Sequence, residues 1–348
     1  HYTVTVLDAP DADPGHQNRI ITQDTNAVHG STPTEPARPD NKTNYVFDHW
    51  AKPDGSTYNF DEPLSGDLTV HAVYRQKRYT VRYDSGTPYS VGSMTDSHFG
   101  VGDSNPLPPN QYARPGYTFG GWSRTPGATT PDYTDGQTVT SISTSDGVTV
   151  TLYAVWNPAS PAVLHDPPVK KVITGAVPHN AGNFTFALKA ISTTAAEAAG
   201  VLPMPLAAGG NQEMQLEIQG AGEEEFGDIT FRLPGTYVYE ISELPIGRRG
   251  FSFDSNPVTV TYVVTQSGSV LNATRTMEKR GQAVTEAVFT NEFEKPNYIV
   301  TFDGNGAWRP FESQTVREGL TASEPIRKPV RSYGKFIGWY LDGQPYDF

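Results

Sequence analysis

Three strand-like segments of this chain each place one polar residue on an otherwise apolar face, and such a chain can close its core only if the three meet. In a β-strand every second side chain faces the same way. Read by twos, Val169, Lys171 and Ile173 share a face, as do Tyr237, Tyr239, Ile241 and Glu243, and Phe289, Asn291 and Phe293. A lone lysine or carboxylate buried there is costly, because it loses water and gains no partner. A lysine, an amide and an acid buried together can instead react, joining Lys171 Nζ to Asn291 Cγ as an amide with loss of ammonia. Lys170 and Glu240 are rival choices, but both fall on the opposite strand face. The plain alternative is a solvated edge lysine and an ordinary strand asparagine.

Composition points the same way. Gly 33 and Pro 29 are high without a Gly-X-Y period, and Tyr, Phe, Thr and Val dominate the apolar runs. Many short strands separated by frequent turns follow, hence an all-β chain. A length of 348 residues allows several domains of about a hundred residues each. The formal net charge of −12 offers no basic stripe to neutralise phosphates, so nucleic acid is not an expected partner. Cysteine is absent, which rules out disulfides, thiolate metal sites and cysteine nucleophiles. A disulfide-free extracellular β-protein needs another source of robustness, and the amide would supply it. No run is apolar and long enough to span a membrane as a helix. The chain opens on His1 without a leader-like segment and reads as an excised fragment.

Internal repeats divide the remainder. Tyr2-Thr3-Val4-Thr5-Val6 recurs as Tyr79-Thr80-Val81-Arg82-Tyr83 and as Tyr298-Ile299-Val300-Thr301-Phe302. Tyr45-Val46-Phe47-Asp48-His49-Trp50 returns as Tyr117-Thr118-Phe119-Gly120-Gly121-Trp122 and as Phe336-Ile337-Gly338-Trp339. A closing strand, Leu68 to Tyr74, matches Val150 to Trp156, and the third copy stops before it. Modules are therefore expected at 1–76, 77–160, 161–296 and, truncated, 297–348. The Pro-bearing stretches 157–168 and 294–297 read as semi-rigid spacers, giving a rod of four modules.

Two resemblances attach to these motifs. The segment from about 165 to 295 resembles the isopeptide-forming domain of Gram-positive pilins, the streptococcal pilin isopeptide linkage type. The likeness runs through Gly-Asn-Phe-Thr-Phe-Ala-Leu (182 to 188), Phe-Gly-Asp-Ile-Thr-Phe (226 to 231), Gly-Thr-Tyr-Val-Tyr-Glu-Ile-Ser-Glu (235 to 243), Val-Thr-Val-Thr-Tyr-Val-Val-Thr (258 to 265) and Phe-Thr-Asn-Glu-Phe (289 to 293). It implies an Ig-like β-sandwich in which Lys171 is the nucleophile, Asn291 the acceptor and Glu243 the catalytic acid. The repeats are similar to the Listeria–Bacteroides repeat, the B-repeat of internalin-type surface proteins, which implies a small β-grasp-like module. The residues themselves give about four strands, with a central loop too rich in proline (Pro106, Pro108, Pro109) for a long helix.

The chemistry needs a neutral amine, since an ammonium cannot attack. Desolvation lowers a lysine pKa and favours a protonated Glu243, expected to donate to the Asn291 carboxamide oxygen. Folding supplies the proximity. The result is a single-turnover self-modification, not an enzyme, and it calls for no cofactor. Asp8, Asp11 and Asp13 lie in one loop and could offer oxygens to Ca²⁺, but without EF-hand spacing a solvated turn is favoured. The eight His residues form no ligand pair at helical spacing. Trp50, Trp122 and Trp339 recur at one repeat position, which favours core over a sugar-binding face. Leu233-Pro234-Gly235-Thr236 looks like the start of a sortase signal but reads as a turn into a strand. Thr193 to Gly200 is compatible with two helical turns. Together these features describe the stalk of a Gram-positive cell-surface adhesin or pilin-like protein, monomeric and extracellular. The alternative is an adhesive module whose repeats contact a host glycan or protein.

Overall fold

The computed structural model describes residues 1–9, 18–39, 42–164, 168–178, 180–195, 201–245 and 247–348. Asp11 and Asp13 of the acidic loop, and residues 196–200 of the alanine-rich stretch, lie outside these. The architecture is all-β; among the described residues one short 3-10 turn, Leu206–Ala208, is the sole helical element. The chain divides into two compact units, His1–Ala159 and Ser160–Phe348.

The first unit holds two sheets built on one plan. Strands β1 (Tyr2–Leu7), β2 (Ile20–Ala27), β3 (Tyr45–Ala51) and β4 (Leu68–Gln76) line up in the order β2-β1-β4-β3. Next come β5 (Arg78–Asp84), β6 (Ser97–Gly100), β7 (Ser104–Pro106), β8 (Tyr117–Ser123), β9 (Thr138–Thr140) and β10 (Thr149–Pro158). Of these, β6-β5-β10-β8 form the second sheet, and β7 pairs with β9 as a separate ribbon. In each sheet the first and last strands are parallel neighbours at the centre. This is the strand order of a β-grasp, with a proline-rich loop where a helix would lie. Period-two alternation puts Val6, Val70 and Ala72 around Trp50 in one core, and Val81, Tyr83 and Leu152 around Trp122 in the other. Trp50 and Trp122 are both buried, so neither presents a sugar-binding face.

A glycine explains one feature of the repeat motif. Gly121, just before Trp122, has φ +133°, and a Cβ there would sit 2.4 Å from the Tyr133 carbonyl oxygen. Tyr133 N–H and Asp132 N–H both donate to the Trp122 carbonyl, so the chain must pass close by. In the first copy His49 stands at this position; both copies bulge one residue earlier, between Phe47 and His49 in β3 and between Phe119 and Gly121 in β8, which returns the tryptophan to the inward face.

The second unit contains β11 (Ala162–Leu164), β12 (Val169–Gly175), β13 (Asn183–Thr193), β14 (Glu213–Gln219), β15 (Gly222–Glu224), β16 (Ile229–Phe231), β17 (Gly235–Leu244), β18 (Phe251–Ser252), β19 (Val258–Ser267), β20 (Val270–Lys279), β21 (Gln282–Val284) and β22 (Ala287–Phe293). A four-stranded sheet, β15-β12-β22-β18, faces a six-stranded one, β14-β13-β17-β19-β20-β21. Side chains such as Phe186 and Phe289, with ring centroids 5.3 Å apart, join them into a sandwich. Strand β12 runs parallel to β22, pairing Lys171 with Phe289 and Ile173 with Asn291. After these come β23 (Asn297–Val300) with β24 (Gln314–Arg317), and the short ribbon β25 (Tyr340–Leu341) with β26 (Gln344–Pro345). Here Ile299, Ile326, Tyr333 and Ile337 are largely exposed.

The stretch expected as a semi-rigid spacer is largely paired. Residues 157–158 finish β10, Ala162–Leu164 pair with β16, and Ser160 exchanges backbone hydrogen bonds with Ser269 and Leu271. Prolines exclude a helix but leave the intervening N–H groups free to seek carbonyls, and neighbouring strand ends supply them.

Candidate functional site

Lys171, Glu243 and Asn291 meet inside the sandwich. Lys171 comes from β12 and Asn291 from β22 in one sheet, and Glu243 from β17 in the other. All three belong to the few polar residues buried in the core, at 2%, 6% and 0% exposure. Because Lys171 opposes Phe289 in the parallel register, Asn291 lies diagonally across, two residues further along on the same face. The lysine stem covers that offset.

Lys171 Nζ donates to both Glu243 oxygens, at 3.0 and 2.9 Å. Asn291 Nδ2 donates to Glu243 Oε1 at 2.6 Å. Amine and amide are thus gathered on one carboxylate oxygen. The Phe184 ring lies beneath the lysine, its centroid 4.7 Å from Nζ. Burial pulls the Lys171 pKa below the ordinary lysine value, against the hydrogen bond and charge of Glu243, which pull it up. A buried amine, a carboxyl group and a carboxamide in contact hold every atom an amide exchange requires.

The remaining residues weighed in the sequence sit elsewhere. Lys170 points outward and pairs with Glu223 at 2.8 Å on the surface, its side chain 39% exposed. Glu240 lies on the other face of β17 from Glu243 and is partly exposed. Asp8 is buried, but it accepts from Tyr74 Oη at 3.2 Å and lies 3.7 Å from Lys42 Nζ. Among the described residues no group of three or more His, Cys, Asp or Glu side chains could hold a metal. Leu233-Pro234 leads straight into β17, and Tyr237 Oη bonds back to the Leu233 carbonyl at 2.7 Å.

Glu243 meets the Asn291 carboxamide at its nitrogen, not at the oxygen that desolvation chemistry alone leads one to expect. The oxygen, Asn291 Oδ1, instead accepts from the backbone N–H of Asp254 at 3.0 Å. The partners fix this orientation. A flipped amide would set oxygen against the Glu243 carboxylate and NH₂ against an N–H donor. Sequence reading passed over Asp254. Its signal was Asp254-Ser255-Asn256-Pro257, a turn pattern in which an Asp side chain caps its own loop.

Comparison with known proteins agrees with this architecture. Residues 167–294 match the Spy0128-like isopeptide containing domain. The Listeria-Bacteroides repeat domain matches three times, at 11–73, 79–155 and 298–348, together more than half of the chain. The chain belongs to the Listeria–Bacteroides repeat family and carries a pilin-like isopeptide domain between its second and third repeats. Among solved structures, the major pilin from Streptococcus pyogenes is 18% identical over 42% of this chain and 54% of its own, with a TM-score of 0.28. The T-13 major pilin of the same species is 15% identical over 42% and 59%, with a TM-score of 0.27. The pilus adhesin SpaC from Lactobacillus rhamnosus GG is 11% identical over 84% and 43%, with a TM-score of 0.21. The chain thus spans about half the length of these solved relatives. No curated protein sequence matches it.

Proposed function

We propose that this chain is part of an extracellular stalk whose pilin-type domain, within 161–296, is locked by an intramolecular amide between Lys171 and Asn291. The observation that carries the reading is the shared Glu243 carboxylate, which receives Lys171 Nζ and Asn291 Nδ2 in the buried core. Transfer of one proton from Lys171 to Glu243 leaves a neutral amine and a neutral acid, the cheaper arrangement where charge is poorly solvated. The amine then attacks Asn291 Cγ. Glu243, already bonded to Nδ2, passes protons from the attacking to the departing nitrogen, and ammonia leaves. The product is an amide bonded to a protonated Glu243, with no charge left in the core.

The test is intact mass under denaturing conditions. The purified chain should weigh one ammonia less than its sequence, and a digest should contain a branched peptide joining Lys171 to Asn291. Lys171→Ala and Asn291→Ala should each restore the full mass. A wild-type chain of unmodified mass would sink the proposal.

A further inference from the structure

Amide exchange builds a negative charge on the acceptor oxygen when the amine adds, and something must hold it. That oxygen, Asn291 Oδ1, lies 3.0 Å from the backbone N–H of Asp254, while Glu243 is occupied on the nitrogen side. Asp254 follows the two-residue strand β18, in the turn before β19. Its own carboxylate clamps that turn from several directions. Oδ1 accepts from the Asn256 N–H and side-chain amide at 3.2 and 3.0 Å. Oδ2 accepts from Lys279 Nζ at 2.8 Å and from the Thr290 N–H at 3.3 Å. Lys279 is held in turn by the Val288 carbonyl at 2.5 Å and lies over the Phe289 ring. Thr290 immediately precedes Asn291, so one carboxylate ties the donor's turn to the acceptor's strand.

We infer that the Asp254 backbone N–H is the oxyanion donor of the crosslinking reaction, and that the Asp254 carboxylate with Lys279 positions it. The inference rests on the crosslinking reading above. When Lys171 Nζ bonds to Asn291 Cγ, the carbonyl π pair moves onto Oδ1 and the Asp254 N–H receives the charge in place. The C=O bond then reforms, the Cγ–Nδ2 bond breaks, and ammonia departs with the proton relayed by Glu243. Donors fixed before the reaction begins need not reorganise as charge develops, which is why such groups are effective.

The test follows crosslinking over time. Chain made in a cell-free translation system is quenched in denaturing acid at intervals and weighed. Asp254→Pro removes the N–H and should slow ammonia loss on the order of 10²-fold. Melting compared in a Lys171→Ala background, where no crosslink forms, measures damage to the fold; the proline variant, which also loses the Asp254 carboxylate, should melt lower but still in one cooperative transition. Should the proline variant fail to fold, replacing residue 254 by its α-hydroxy acid, which exchanges only the N–H for oxygen, decides in its place. Lys279→Met keeps the N–H but loosens its clamp, and should slow the reaction by less. Wild-type rates in the variant lacking the N–H would overturn the donor role while leaving the crosslink intact. A wild-type rate in Lys279→Met would overturn the positioning role. A wild-type chain that never loses ammonia removes the reading beneath both.

Discussion

At the scale of residues, adjacent positions have opposite fates. Lys171 is sealed against Glu243 and Phe184, while Lys170 meets Glu223 in solvent. The same division separates Glu243 from Glu240. Glu243→Ala should therefore leave most of the chain uncrosslinked in intact-mass measurements, and Glu240→Ala should leave crosslinking complete; the reverse outcome would discard the facing argument. Asp254 makes a second prediction. Burial works to raise its pKa, but hydrogen bonds from Lys279 and Asn256 prevail and hold it at about 2, below the ordinary 3.8. With the folded value lowered, the unfolded chain binds more protons between these limits, so stability there rises with pH. The contribution, about 2 kcal/mol, is complete above the unfolded pKa and lost as pH falls through about 2. Urea midpoints between pH 2 and 5, taken in Lys171→Ala so that no crosslink masks them, should show this slope. Asp254→Asn should flatten it.

At the scale of elements, the pairing of β12 with β22 decides what a crosslink is worth. These strands open and close the sandwich and run parallel, so the residues from 171 to 291 must travel out and back between them. An amide joining them closes that long loop and restricts the unfolded chain as a disulfide would, by about 5 kcal/mol in loop-entropy terms. In a domain of this size that corresponds to roughly 15–25 °C in Tm. Calorimetry should show the domain's transition falling by about this much in Asn291→Ala. It should fall at least as far in Lys171→Ala, which also leaves Glu243 buried without its cation. Thiol reductants should move neither. Equal transitions in wild type and Asn291→Ala would leave the bond without a stabilising role.

At the scale of the whole molecule, the sandwich and the repeats should respond differently to tension. Once the short strand β11 has peeled from β16, force enters the sandwich through β12 and leaves through β22. An amide between those neighbours passes the pull from strand to strand, and the folded residues between them stay out of its path. In each complete repeat the first and last strands are also parallel neighbours, yet only hydrogen bonds and packing join them. Single-molecule pulling should therefore give unfolding steps from the repeats alone. Lys171→Ala should add one step of roughly 120 residues, about 400 Å at full extension. The long step in wild type would show that the bond does not bridge the force path.

Much of this was legible in the sequence because β-structure has a period of two, and a polar residue in register with apolar neighbours declares its own burial. Lys171, Glu243, Asn291 and the inward Trp50 and Trp122 could be read that way, as could the repeat strands from their recurrence. Local pattern could not show how strands far apart in the chain align. The parallel register that sets Asn291 diagonal to Lys171 is a long-range pairing, and so are the strand partners that absorb the proline-bearing stretch 157–164. The orientation of the Asn291 amide was out of reach for the same reason. It depends on a carboxylate from the opposite sheet and a backbone N–H from the turn after β18, and a backbone N–H carries no residue letter. Side-chain periodicity is written locally, whereas hydrogen-bond partners are assigned only when distant strands close on one another.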